Sequence, residues 1–287
     1  MDYDRMEEYP SGIRLVNVKN FGLYETFNSG SVFRWVHYRD YYVGTVHDKI
    51  IIAKPYNNDL LLYNITGQEF KDYFEDYFDL KINYQSMYSD IRERNEVLQK
   101  LLPATSHIRI LKQDFLESFV SAFISQNNNI SRIKLIINKL CSRYGKKIKY
   151  KNIVSYTFPK LEVLAQLSEE DYNRIGFGYR AKGMSKAMRR LYDLNIDDFY
   201  EYFKSWKCVE VLNFLTDFYQ VGPKVANFII TMAHLSQNYE DAFVIDVWMK
   251  RAMMDLFNVE VPTEYWLKQH FSNLVLAQQN IFYYYRN

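Results

Sequence analysis

The hydrophobic period of this chain changes once, near Thr66, and that change limits the folds open to it. Upstream, β-branched, aromatic and aliphatic residues come in short runs at 33–38, 41–46, 49–53 and 60–63. Arg39-Asp40, His47-Asp48 and the stretch 55–58 divide them, as turns divide the strands of an antiparallel meander. No helix of ordinary length fits that pattern. Thr66 and Glu69 then form a capping-box pair, and Phe70, Tyr73, Phe74, Tyr77 and Phe78 share one helical face. From about Asp90 the chain reads as helices joined by short loops. The expected class is α+β. An N-terminal antiparallel sheet domain over residues 1–95, with a helix near 67–78, precedes an all-helical domain over 96–287.

Capping residues mark the helices. Asp114 with Glu117 opens one through Phe119 and Phe123, and Ser131 is expected to precede another through Ile133, Ile136, Ile137 and Leu140. Tyr144-Gly145 reads as its stop. Ser168 and Asp171 cap a short helix ending near Gly176, and Thr263 is expected to begin a terminal helix running toward Tyr285.

Composition excludes several classes. With 48% apolar and 17% aromatic residues in 287, the chain is globular rather than disordered. Its net charge of +2 neither demands nor forbids nucleic acid, so distribution matters more: acids concentrate at 69–79, bases at 143–151 and 180–190. Two cysteines are too few for an iron–sulfur cluster, and the five histidines lack zinc-ligand spacing, so neither centre is expected. A polar N-terminus and the lack of a long apolar run predict a protein off the membrane, in a reducing intracellular setting.

Val211, Leu212, Leu215 and Phe218 make one apolar helix face, and Val225, Phe228, Ile229 and Met232 a second, so a helix-hairpin-helix spans about 207–234. Residues 219–223 suffice only for a tight turn. Gly222 is expected to supply an unusual φ there, and Pro223 to sit at the first helical position. Free amides at such a helix start suit a backbone phosphate, although an ordinary αα-hairpin fits the same spacing. Lys224 lies at that start, where positive charge is disfavoured, and the neutral amine is the form that attacks carbon. A solvated helix lysine fits the position too. Asp246, before Val247-Trp248-Met249, reads as an N-cap, a role compatible with catalysis because a cap fixes its carboxylate.

The order helix, Gly-containing hairpin, Lys224, helix, Asp246 resembles the helix-hairpin-helix DNA glycosylases. Four further segments resemble the eukaryotic-type 8-oxoguanine DNA glycosylase/lyases within that superfamily. Ser125-Gln126-Asn127-Asn128-Asn129-Ile130-Ser131-Arg132 is similar to the family's triple-asparagine loop followed by arginine, and Gly176-Phe177-Gly178-Tyr179-Arg180-Ala181 to its Gly-Leu-Gly-Tyr-Arg-Ala segment. Ser29-Gly30-Ser31-Val32-Phe33-Arg34-Trp35 is similar to its Ser-Gly-Gln-Ser-Phe-Arg-Trp strand entrance, and Ala277-Gln278-Gln279-Asn280-Ile281-Phe282 to its terminal helix. The matches come in family order across nearly the whole chain. Three positions depart: Gln220 where the hairpin has glycine, Trp248 where many relatives have histidine, and Phe228 where animal members have cysteine.

The resemblance implies a monomeric repair enzyme that binds double-stranded DNA containing 8-oxoguanine, without a cofactor, in the cytoplasm or nucleoid if bacterial or archaeal. It implies that Asn127 and Tyr179 fill the space of an extruded base, and that Arg132 and Arg180 contact the orphaned cytosine. Phe228 and Phe282 would sandwich the base, Gln278 would meet its Watson–Crick edge, and the Gly30 carbonyl would accept the hydrogen on N7. Gly222 would serve the phosphate contact, Lys224 the nucleophilic attack and Asp246 the charge on the sugar. Two other classes compete: a helix-hairpin-helix glycosylase for alkylated bases, which commonly lacks the hairpin lysine, and a non-catalytic DNA-binding module.

Overall fold

A computed structural model describes residues 1–105 and 107–286. Six strands form one antiparallel sheet: β1 (Arg5–Tyr9), β2 (Gly12–Val16), β3 (Trp35–Tyr38), β4 (Tyr41–Val46), β5 (Lys49–Tyr56) and β6 (Asp59–Tyr63), ordered β1-β2-β6-β5-β4-β3. β3 to β6 occupy the runs read from sequence; β1 and β2 extend the sheet beyond that reading. β1 is a polar edge strand, Arg-Met-Glu-Glu-Tyr, which carries no hydrophobic signature. In β2, Ile13 and Leu15 do alternate into the core, and that alternation was its available signal.

One sheet face buries Ile13, Leu15, Ile51, Ala53, Leu60 and Leu62 with Phe70, Phe74 and Phe78. Those phenylalanines lie on a helical stretch that Thr66 opens with a capping box, and whose middle, Phe70–Phe74, is π-wound. Trp35 stacks on Phe27 with ring centroids 4.2 Å apart. Gly44, its register partner on β4, leaves room for it: a Cβ there would lie 2.4 Å from the indole.

The second core runs from Phe33 and Tyr84 to Ile281 and is built of packed helices. The expectation of an all-helical domain needs one correction. β7 (Lys147–Tyr150) and β8 (Ile153–Tyr156) form an antiparallel hairpin inside it, with Lys151 in the left-handed region at the turn. Its alternation of lysines with half-buried residues read as a basic run rather than as a strand. Two helix ends also differ. Asn129, not Ser131, caps the helix Ile130–Tyr144, its side-chain oxygen accepting from the Arg132 amide at 2.9 Å. The terminal helix is two, Glu264–His270 and Leu274–Arg286. Phe271 turns extended, and Asn273 accepts from the Leu276 amide at 2.8 Å to start the second.

Buried charges join the two cores. The Arg34 guanidinium donates to Glu117 Oε2 at 3.2 Å and to the Tyr156 carbonyl, tying the sheet to the helix Phe115–Ile124 and to β8. Arg109, fully buried, donates to the Asp2 carboxylate and to the Asp79 carbonyl.

Candidate active site

The helices Cys208–Thr216 and Pro223–Ala233 form the hairpin, with Val221 buried beneath the turn. The expectation that Gly222 supplies the unusual φ is overturned: its backbone is extended, at φ −93° and ψ 175°. Gln220 takes the left-handed conformation instead, at φ +65°. Its side chain lies across Gly183, where a Cβ would sit 2.2 Å from Oε1, and its Nε2 donates to the Tyr179 carbonyl at 3.4 Å. Contact with a neighbouring helix thus takes the place of the missing glycine. Gly222 is exposed, a Cβ there would meet nothing within 4 Å, and the helix it opens has no side-chain cap.

Lys224 is the second residue of its helix and half-buried. Asp246 caps the helix Val247–Phe257, Oδ1 accepting from the Met249 amide at 2.8 Å. Oδ2 has no hydrogen-bond partner among the described residues. Both residues line a cavity of about 500 Å³, together with Gly30, Phe228, Gln278 and Phe282. That volume lies in the ~300–1,000 Å³ range of small-molecule sites. Gln278 is 5% exposed, and its amide has no hydrogen-bond partner among the described residues.

Gly30 is required twice over. Its φ is +91°, and a Cβ would come within 2.9 Å of Phe282 Cε1. The main chain on either side is clamped: Gln279 Nε2 donates to the Ser29 carbonyl at 2.7 Å, and Gln113 Nε2 to the Ser31 carbonyl at 3.0 Å. Both glutamines are buried, and the sequence reading passed over both. Neither carries a signal in the sequence, since Gln279 lies in the polar run Gln278-Gln279-Asn280 and Gln113 between Lys112 and Asp114.

Beside the cavity, Asn127, Arg132 and Arg180 line a shallow groove with Asn128 and Asn129. Asn127 is exposed with φ +45°, and Arg132 is exposed. Arg180 differs: only 5% exposed, it donates to the carbonyls of Gln126, Asn127 (3.1 Å) and Phe177 (3.1 Å). It therefore shapes the asparagine loop from below. Tyr179 is 57% exposed, with the Arg180 guanidinium 4.3 Å from its ring centre. Gly176 and Gly178, both at positive φ, make the tight path that presents it.

A lysine-bearing helix-hairpin-helix, an aspartate cap and an aromatic slot between them define a base excision glycosylase of the helix-hairpin-helix class. Comparison with known proteins agrees. The family described as "8-oxoguanine DNA glycosylase, N-terminal domain" matches residues 14–119, and "HhH-GPD superfamily base excision DNA repair protein" matches residues 120–275. The 8-oxoguanine glycosylase/lyase of Clostridium acetobutylicum, solved with dsDNA containing cytosine opposite 8-oxoG, superposes with a TM-score of 0.92 at 34% identity, covering 100% of this chain and 99% of that one. The N-glycosylase/DNA lyase of Saccharomyces cerevisiae is 28% identical over 249 residues, 78% of this chain and 66% of its own length. The N-glycosylase/DNA lyase OGG1 of Arabidopsis thaliana is 27% identical over 58% of this chain and 47% of its own. The chain thus spans about half to two thirds of those two curated relatives. It belongs to the 8-oxoguanine DNA glycosylase/lyase family of the helix-hairpin-helix superfamily.

Proposed function

We propose that the protein excises 8-oxoguanine opposite cytosine from duplex DNA and then cleaves the strand by β-elimination. The observation that carries this reading is the convergence of an amine, a carboxylate, two aromatic rings, a free amide and a side-chain-less main chain on one cavity. The reading puts the protein's work inside the cell, with the DNA.

A base inside a duplex is out of reach, so the nucleotide is first extruded. Asn127 and Tyr179 at the rim fill the vacated stack. Arg132 reads the orphaned cytosine, whose acceptor edge suits a fork of donors. Arg180 holds the Asn127 main chain in place and reaches the cytosine only by exchanging a carbonyl for it. A backbone phosphate docks at the free amides behind Gly222.

Within the cavity Phe228 and Phe282 sandwich the base, and Gln278 both donates to and accepts from its Watson–Crick edge. The Gly30 carbonyl accepts the N7 hydrogen, which guanine lacks. The neutral Lys224 amine attacks the anomeric carbon as the bond to the base breaks, and Asp246 balances the positive charge on the sugar. The resulting Schiff base acidifies the adjacent carbon, and loss of that proton expels the 3′ oxygen.

Borohydride trapping on duplex bearing 8-oxoguanine opposite cytosine tests this. The wild type is expected to form a covalent adduct, and Lys224→Gln to lose both adduct and base release while staying folded. A DNA-binding module would give no adduct with either protein. A glycosylase for alkylated bases would release methylated purines and spare 8-oxoguanine.

A further inference from the structure

On the reading just given, we propose that Arg286 is a further base-reading residue, its guanidinium donating to the O8 oxygen of the lesion. Gln278, Phe282 and Arg286 are spaced four residues apart on the helix Leu274–Arg286, and all three line the same cavity. They follow one another along one helix face, with Gln278 and Arg286 about 12 Å apart along the axis at 1.5 Å per residue. Phe282 lies between them, and the Arg286 guanidinium stands 5.6 Å from its ring centre. A purine stacked on Phe282 with its Watson–Crick edge at Gln278 therefore turns its opposite edge, which carries C8, toward Arg286.

The guanidinium is fixed and incomplete. Its NH2 donates to the Asn28 carbonyl at 3.1 Å, whereas NH1 is buried without any hydrogen-bond partner among the described residues. NH1 also lies 3.0 Å from where a Gly30 Cβ would be, beside the main chain that accepts the N7 hydrogen. On the purine ring O8 is the neighbour of N7 on the side away from the Watson–Crick edge. No carboxylate pairs with Arg286 among the described residues. Burial pushes its proton affinity down, and its charge helps to push that of the half-buried Lys134 down as well. A cation that no described carboxylate pairs, with a donor left over, is thus aimed at an acceptor that guanine does not have. As the glycosidic bond breaks, negative charge grows on the departing base, and a cation at O8 stabilises it.

The test is single-turnover release of 8-oxoguanine opposite cytosine, beside cleavage of a preformed abasic site opposite cytosine, for wild type, Arg286→Met and Arg286→Lys. A hydrogen bond to a charged donor predicts that Arg286→Met slows base release by about tenfold or more. Abasic-site cleavage, where no base is present, should be unchanged, and Arg286→Lys should recover part of the loss. Equal losses on both substrates would make Arg286 a phosphate contact or a helix prop and overturn the proposal. Unchanged base release in Arg286→Met would overturn it alone, with the excision reading intact. A wild type that cleaves abasic sites but spares 8-oxoguanine would overturn both.

Discussion

At the scale of single residues, the site depends on what is missing as much as on what is present. Gly30 brings main chain against an aromatic ring only because it has no Cβ, at a φ of +91° that other residues rarely adopt. Gly30→Ala would drive a methyl to 2.9 Å from Phe282 Cε1 and close the slot. Overpacking of this kind costs ~1–3 kcal/mol, so 8-oxoguanine release should slow about tenfold while abasic-site cleavage stays near normal. Single-turnover kinetics on the two substrates decide it; equal effects on both would mean the substitution damages the fold rather than the slot. On the proposed mechanism Asp246 combines two roles, since Oδ1 caps a helix and Oδ2 keeps no hydrogen-bond partner among the described residues.

At the scale of elements, the hairpin works without the glycine that usually makes its turn. Gln220 carries the left-handed conformation, and its Oε1 is buried without a partner among the described residues. A non-glycine residue there bears ~1–2 kcal/mol of strain, of which glycine's greater chain entropy would take back roughly 0.5–1 kcal/mol. Gln220→Gly should therefore stabilise the protein by up to about 1 kcal/mol, seen as a higher denaturant midpoint at an unchanged m-value. A lower midpoint would show that packing over Gly183 outweighs the strain.

For the whole molecule, the joint between sheet and helices rests on a buried ion pair. Arg34→Met would strand the Glu117 carboxylate and should cost ~3–5 kcal/mol. Glu117→Gln should cost clearly less, because Arg34 keeps the Tyr156 carbonyl and an amide oxygen. Burial already holds the Glu117 carboxyl above its ordinary range, against the pull of Arg34. With the folded-state value raised, the folded chain binds this proton more readily than the unfolded chain, so the group favours folding as pH falls. The deficit of Arg34→Met should accordingly shrink as pH drops from above the raised value to the ordinary carboxyl range. Urea unfolding of both variants across that window checks it, and a deficit independent of pH would remove Glu117 from the account.

What the sequence determined by itself was whatever is local or periodic. Four of six sheet strands, the capping boxes at Thr66 and Ser168, and the two faces of the hairpin follow from side-chain alternation and from caps that bond within three residues. Gly30, Lys224, Phe228, Asp246, Gln278 and Phe282 of the cavity lining were also legible, chiefly through resemblance to a family, whereas Gln279 and Arg286 were not. Tertiary structure alone decided the rest. β1 is an edge strand whose pairing comes from β2, and its own residues are too polar to announce it. Gln220 can replace a glycine because Gly183 and Tyr179, far off in sequence, receive its side chain. Gln279 and Gln113 fix the two carbonyls flanking Gly30 from 250 and 82 residues away. The physical reason is common to all three. A cap or an apolar face is satisfied by neighbours in sequence, whereas a buried polar group takes its meaning from the partner that the fold brings to it.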